Sequence, residues 1–122
     1  MARDPQSQLP LTPVVLHILL ALSDGERHGY AIAQEIEETT RGQVRMGPGT
    51  LYGSIQRMLA SAVIEEAPAR RRATDANEND DARRRYYRMT AFGRRVLEFE
   101  LDRLNAVVQL ARQKHLVGGA RA

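Results

Sequence analysis

Residues 47–67 read GPGTLYGSIQRMLASAVIEEA, and the change of period within this stretch decides the fold. Pro48 follows Gly47, and proline is favoured at the first position of a helix. The apolar residues that follow predict one buried helical stripe, made of Leu51, Ile55, Met58, Leu59 and Ala62. From Val63 to Ala67 the alternation shortens to a period of two, which predicts a short strand. A helix is therefore followed directly by a strand.

The opposite side of this helix carries small or polar residues, Thr50, Gly53 and Ser54, and one positive charge, Arg57. Side chains of this size would let the helix backbone approach another molecule closely. Gly49, in the first turn, destabilises the helix by about 1 kcal/mol relative to alanine. Close approach to a ligand would explain this glycine, and so would ordinary loop geometry.

Two further helices are predicted before this stretch. Thr12 and Pro13 are typical of a helix start, and the apolar run from position 14 to 22 predicts a short, central helix. A second helix begins near Gly29. We expect its buried stripe to consist of Tyr30, Ile32, Ala33 and Ile36.

A second strand and a long helix are predicted after it. Residues 85–89 read RYYRM and predict a strand whose adjacent tyrosines face opposite sides. Residues 69–84 lack apolar periodicity, which predicts a long, mobile hairpin tip. Thr90 caps a fourth helix from Ala91 to about His115.

This order of elements predicts a mainly α winged helix-turn-helix, with three helices plus a two-stranded β-wing, followed by a long C-terminal dimerisation helix. The third helix of such a domain enters the major groove of DNA, and the wing contacts the backbone or the minor groove. We expect a flexible N-terminal arm over 1–11, the DNA-binding domain over 12–90, the dimerisation helix over 91–116 and a disordered tail over 117–122.

The fourth helix carries an apolar seam that is too long for one small domain to cover. Its residues follow the spacing of a coiled coil and are Leu97, Leu101, Leu104, Val108 and Ala111. An exposed stripe of this size calls for a partner, and we predict a homodimer.

The positive charge of the chain is concentrated in the predicted wing. The net charge is +3, and residues 63–95 carry nine basic and six acidic side chains. Residues 70–72 and 83–85 are two arginine triplets that flank an acidic tip. Arginine pairs well with phosphate, so we expect some of the six to contact DNA; a solvated loop without a partner is the alternative.

Several classes of function are disfavoured by what the sequence lacks. It has no cysteine, and its histidines, His17, His28 and His115, are scattered without metal-ligand spacing. No catalytic motif or cofactor-binding loop is recognisable, so we predict neither an enzyme nor a cofactor or metal site. No apolar run could span a bilayer and no signal peptide is visible, which leads us to expect no membrane association and a cytoplasmic protein.

Three segments resemble the PadR family of bacterial transcriptional regulators. They read LLALSDGERHGYAI from residue 19, GPGTLYGSI from residue 47 and RYYRMTAFG from residue 85, in the order found in the family. The resemblance implies a homodimeric repressor with a near-palindromic operator and a small-molecule effector, such as a phenolic acid or drug, near the dimer interface.

The resemblance and the charge pattern together give a set of predicted DNA-binding residues. Thr50, Tyr52 and Ser54 match family positions that contact the groove or phosphate, and residues 28–30 match the start of the second helix, whose amides meet the DNA backbone. The full set is His28, Gly29, Tyr30, Gly49, Thr50, Tyr52, Ser54, Arg57, Arg71, Arg84 and Arg85. A protein-interaction module and a small-molecule binding protein on the same scaffold are the alternatives.

Overall fold

The computed structural model describes residues 3–68 and 85–117. Within them the chain is mainly helical, with a small three-stranded antiparallel sheet. The helices are α1 (Pro13–Ala21), α2 (Gly29–Thr39), α3 (Pro48–Ala60) and α4 (Ala91–Gln113). The strands are β1 (Arg27–His28), β2 (Ile64–Glu66) and β3 (Tyr86–Met89), in the order β1-β3-β2. The predicted wing tip, residues 69–84, lies outside the described residues, as do the last five residues of the predicted tail.

Side-chain caps fix the starts of three helices. The Thr12 hydroxyl accepts a hydrogen bond from the Val15 amide at 3.3 Å, and the Thr90 hydroxyl accepts one from the Gly93 amide at 2.9 Å. His28 caps α2 through Nδ1, which accepts from the Ala31 amide at 3.2 Å. Such caps satisfy amides that have no partner inside the helix, so the helices begin at these residues.

The core lies where α1, α2 and α3 meet the root of α4 and the sheet. It confirms most of the predicted α3 stripe, because Leu51, Ile55 and Met58 are buried. The side chains with at most 2% exposure include Ile18, Leu19, Ile32, Ile36, Ile55, Met58, Val63, Ile64 and Val96. Tyr30 was predicted to be buried, and that expectation is wrong: it is 68% exposed, because α2 turns its Ile32 and Ile36 side towards α1.

The sheet contains a strand that the sequence did not predict. The two residues of β1 pair with β3, with Arg27 opposite Tyr87 and His28 opposite Tyr86. On its other side β3 pairs with β2, with Glu66 opposite Tyr87. Tyr87 is buried and Tyr86 is half-buried, as expected for adjacent strand residues. This sheet joins the start of α2 to the base of the wing.

The long helix α4 is fixed directly onto the start of β2. The Thr90 hydroxyl donates to the Ala62 carbonyl at 2.6 Å. A Cβ atom on Gly93 would lie 2.0 Å from the Val63 carbonyl oxygen, so only glycine fits at this contact. The start of α4 is therefore held against the residues that lead into β2 of the wing.

The N-terminal segment packs against α4, which differs from the predicted flexible arm over 1–11. Residues Pro5–Gln8 form a 3-10 helix, Pro5 is buried, and Leu9 and Leu11 pack against the core. Arg3 donates to the Ser61 carbonyl, and its guanidinium lies 5.4 Å from the centre of the Phe92 ring. Two prolines and polar neighbours suggested an arm, but the apolar leucines provide the packing that holds the segment.

A buried carboxylate ties this segment to α4. Glu100 is 1% exposed; it accepts a hydrogen bond from the Leu11 amide at 3.0 Å and two from Arg103, at 2.6 and 3.0 Å. The hydrogen bonds from Arg103 lower the pKa of Glu100 below its ordinary value; burial opposes this, and the Leu11 amide lowers the pKa further. Both oxygens of the buried Glu100 carboxylate thus have hydrogen-bond partners.

The predicted dimerisation seam on α4 starts inside the monomer core. Leu97 is only 4% exposed and packs within the domain, so its assignment to the dimer interface is corrected. Beyond Glu100 the seam is accessible: Leu101 and Val108 are 40% and 37% exposed, while Leu104 and Ala111 are half-buried. Helix α4 therefore continues past the part of the domain that covers it.

Candidate nucleic-acid interface

Three separate segments of the chain meet at one open pocket of about 380 Å³. The end of β1 with the start of α2, the exposed side of α3, and β3 with the residue before it contribute to the pocket. Its lining residues are His28, Gly29, Tyr30, Tyr52, Gln56, Arg85 and Tyr87. The fold thus brings together five of the predicted DNA-binding residues. We call this feature the α2–α3–β3 pocket.

Tyr52 lies across the first residue of α2. A Cβ atom on Gly29 would be 2.4 Å from the Tyr52 hydroxyl oxygen and 2.8 Å from two ring carbons. Gly29 is buried, whereas Tyr52 remains 45% exposed. Gly29 therefore makes room for the Tyr52 ring, and its contact with DNA through the backbone amide stays a prediction. Because Gly29 has no side chain, the Tyr52 hydroxyl can lie over the N-terminus of α2.

His28 sets the position of the neighbouring aromatic rings. Its ring is parallel to Tyr30, with centroids 6.4 Å apart and an interplanar angle of 10°. The Tyr86 ring packs against the His28 ring edge-to-face, with centroids 5.4 Å apart and an interplanar angle of 88°. Because Nδ1 caps α2, the imidazole cannot rotate without releasing the Ala31 amide. This leaves Tyr30 projecting at the rim of the pocket.

The exposed side of α3 carries two glycines that no contact within the protein requires. A Cβ atom on Gly49 would meet nothing within 4 Å, and one on Gly53 would meet only the Arg57 guanidinium at an ordinary 3.7 Å. Neither residue has a backbone angle that favours glycine. Thr50 and Arg57 are exposed beside them. The backbone of α3 is therefore accessible from outside at two positions where alanine would give a more stable helix.

Ser54 does not lie on this exposed side. It is 1% exposed and sits with Leu51, Ile55 and Met58 on the core side of α3, so its assignment as a DNA-contacting residue is corrected. Its hydroxyl accepts a hydrogen bond from the Arg57 guanidinium at 3.2 Å. Ser54 follows Leu51 by three positions and precedes Met58 by four, which puts all three on one face.

Gln56 was missed by the sequence reasoning. It is exposed, lines the α2–α3–β3 pocket and follows Tyr52 by one helical turn. The spacing of four residues was a usable signal, since it places two residues on the same face of a helix. A glutamine amide can donate to and accept from the edge of adenine in the major groove.

Charges and burial also shape the sheet side of the pocket. The exposed Arg85 Nε lies 3.7 Å from a Glu66 carboxylate oxygen. Burial raises the pKa of the Tyr87 phenol; Glu66 raises it further, Arg85 lowers it and Tyr52 raises it. The predicted contacts Arg71 and Arg84 lie outside the described residues.

Comparison with known proteins decides the family. The family described as "Transcriptional regulator PadR-like family" matches residues 18–99, about two-thirds of the chain. The chain belongs to the PadR-like family of transcriptional regulators. The match spans α2, α3, the wing and the root of α4, so it covers the α2–α3–β3 pocket.

Curated relatives and solved structures agree with this PadR-like assignment. "Transcriptional regulator Rv3488" of Mycobacterium tuberculosis is 32% identical over 107 residues, covering 86% of this chain and 90% of the relative. A PadR family transcription regulator from Clostridium difficile has a TM-score of 0.67 at 22% identity, over 84% of this chain and 97% of its own. RosR of H. salinarum has a TM-score of 0.60 at 20% identity, over 90% and 99% of the two chains. These structures support the PadR-like fold.

The described part of this PadR-like regulator contains neither a metal-binding cluster nor a helix that could cross a membrane. No three metal-binding side chains among its histidines and carboxylates cluster closely enough to hold an ion. None of its described helices combines the length and apolar character required for crossing a membrane.

Proposed function

We propose that this PadR-like regulator is a cytoplasmic repressor that binds a near-palindromic operator as a homodimer. The observation that carries the proposal is the exposed side of α3, where Gly49 and Gly53 have no internal reason to be glycine. Helices that enter the major groove approach the bases closely, and absent side chains permit this. Thr50 and Arg57 flank the two glycines with polar groups.

The α2–α3–β3 pocket suits the phosphate backbone beside that groove. The N-terminus of α2 carries a partial positive charge, and Tyr52 holds a hydroxyl over it. Arg85 adds a guanidinium from the wing side. Contacts of this kind fix the register of a protein on DNA, while base contacts from α3 provide the sequence preference.

The homodimer is supported by the part of α4 that the domain leaves uncovered. Val107 and Leu110 are 54% and 52% exposed and lie beside Leu101, Leu104 and Val108. A second copy of α4 would cover these apolar side chains. Two-fold symmetry then places two copies of α3 about one turn of DNA apart, which requires a near-palindromic site. The repressor role and a small-molecule effector near the α4 interface follow from the family resemblance.

Tyr52 provides the direct test. Genomic fragments bound by the full chain are selected, and the affinity of Tyr52→Ala and Tyr52→Phe for the recovered site is measured by fluorescence anisotropy. We expect Tyr52→Ala to weaken binding about tenfold or more, the size of one hydrogen bond to a charged group. Tyr52→Phe keeps the ring on Gly29 and removes the same hydrogen bond, so it measures the hydroxyl alone and should account for most of this loss.

The alternatives predict different outcomes of the same titration. A protein-interaction module or a small-molecule binding protein would select no DNA sequence, and its residual binding would be insensitive to Tyr52. A wild-type affinity that is independent of salt and sequence would overturn the proposal.

A further inference from the structure

Two glutamates of β2 pair with two arginines at β3, on opposite faces of the wing. Arg88 Nε lies 2.8 Å from Glu65, and Arg85 Nε lies 3.7 Å from Glu66. The register sets Glu65 opposite Arg88 and Glu66 opposite Tyr87. Successive strand residues face opposite sides, so the Glu66–Arg85 pair shares its face with the buried Tyr87. Arg85 lines the α2–α3–β3 pocket, and Arg88 does not.

The Glu66–Arg85 pair is exposed enough to exchange partners. The side chains are 47% and 69% exposed, respectively, and the separation of 3.7 Å is longer than a hydrogen bond. Exposed ion pairs of this kind contribute little to folding, so the pair is not needed to hold the wing together. The Glu66 carboxylate nevertheless lies beside the guanidinium that Arg85 presents at the α2–α3–β3 pocket.

We propose that Glu66 competes with DNA phosphate for Arg85, so that binding of DNA requires this guanidinium to leave its carboxylate partner. The inference rests on the proposed function, because it assigns a residue that limits affinity at the same site. Phosphate contacts carry no sequence information. The competition therefore weakens binding to operator and to unrelated duplex by the same factor. The Glu65–Arg88 pair has the same chemistry on the other face and takes no part in it.

The test uses Glu66→Gln, with Glu65→Gln as the control of equal charge change. The affinities of the full-length variants for the selected operator and for a shuffled duplex are measured by fluorescence anisotropy at one fixed salt concentration. We expect Glu66→Gln to tighten both about two- to fivefold, the size of an exposed ion pair. Glu65→Gln should leave both affinities unchanged.

A double-mutant cycle ties the effect to Arg85. In the Arg85→Ala background the gain from Glu66→Gln should disappear, because no guanidinium remains to be released. A gain that persists in this background, an equal gain from Glu65→Gln, or weaker or unchanged binding by Glu66→Gln would each overturn the inference. Wild-type protein that selects no DNA would overturn the proposed function as well, so the two failures are distinguishable.

Discussion

Replacement of Gly29 by alanine tests how Tyr52 is positioned. The new Cβ atom would lie 2.4 Å from the Tyr52 hydroxyl oxygen, whereas ordinary contact begins at 3.4 Å, so the end of the ring must move by about 1 Å. The ring can swing outwards because Tyr52 is already 45% exposed. The backbone angle of Gly29 is not in the left-handed region, so alanine fits the helix itself.

The two consequences of Gly29→Ala differ in size. Alanine favours a helix over glycine by up to about 1 kcal/mol, which offsets part of the lost ring contact, so the free energy of unfolding should change by about 1 kcal/mol or less. A hydrogen bond to a charged phosphate contributes about 1.5–3 kcal/mol. Its loss should weaken operator binding by about tenfold or more.

The assay combines thermal unfolding with an anisotropy titration of the operator. Tyr52→Ala and the double variant complete a cycle, and the double variant should bind no more weakly than Tyr52→Ala if Gly29 acts through the tyrosine. Unchanged affinity in Gly29→Ala, or additive losses in the double variant, would show that Gly29 does not act through Tyr52.

Substitutions at four further positions test the rest of the structure. Gly49→Ala should stabilise α3 by up to about 1 kcal/mol in thermal unfolding yet weaken operator binding; tighter binding would contradict close approach. Gly93→Ala should prevent folding, seen by circular dichroism, because its Cβ would meet the Val63 carbonyl at 2.0 Å. Glu100→Ala should lower the free energy of unfolding in urea by about 2 kcal/mol, because the Leu11 amide loses its partner. The pKa of Glu100 is lower in the folded than in the unfolded protein. Its contribution to the free energy of unfolding should therefore be present above the ordinary pKa of about 4.3 and be lost as the pH falls through the folded pKa. A wild-type protein whose stability depends on pH in the same way as that of Glu100→Gln would contradict this. Leu104→Asp should give a monomer by light scattering, and a stable dimer would contradict the seam.

Element order was predictable because local signals agree with the fold. Threonine caps, proline at helix starts and the apolar spacing of α3 are all satisfied within a few residues of chain. They specify where a helix begins and which side is apolar without reference to distant partners. The change of period after Ala62 likewise located β2.

Assignments at the edge of a stripe needed tertiary structure. Tyr30 and Ser54 each border an apolar face, and helical spacing alone allows either to be inside or outside. Packing buries the serine and exposes the tyrosine. Leu97 continues the α4 seam in sequence, yet the domain covers it because α4 is rooted in the core.

Short contacts between distant segments were the least predictable. The two residues of β1 have no strand pattern of their own and are ordered by pairing with β3. The N-terminal segment is held by the carboxylate of Glu100, which is remote in sequence. The contact of Tyr52 with Gly29 has the same origin, so the pocket could be predicted as a set of residues but not as a shape.

Titration of the wild-type full-length chain with its selected operator and with a shuffled duplex of equal length, at a series of salt concentrations, tests whether this regulator binds DNA with sequence preference. Operator binding should be at least about a thousandfold tighter than binding to the shuffled duplex. Both affinities should fall linearly with salt on logarithmic axes, because phosphate contacts release counterions. Equal affinity for the two duplexes, or binding that does not change with salt, would contradict these expectations.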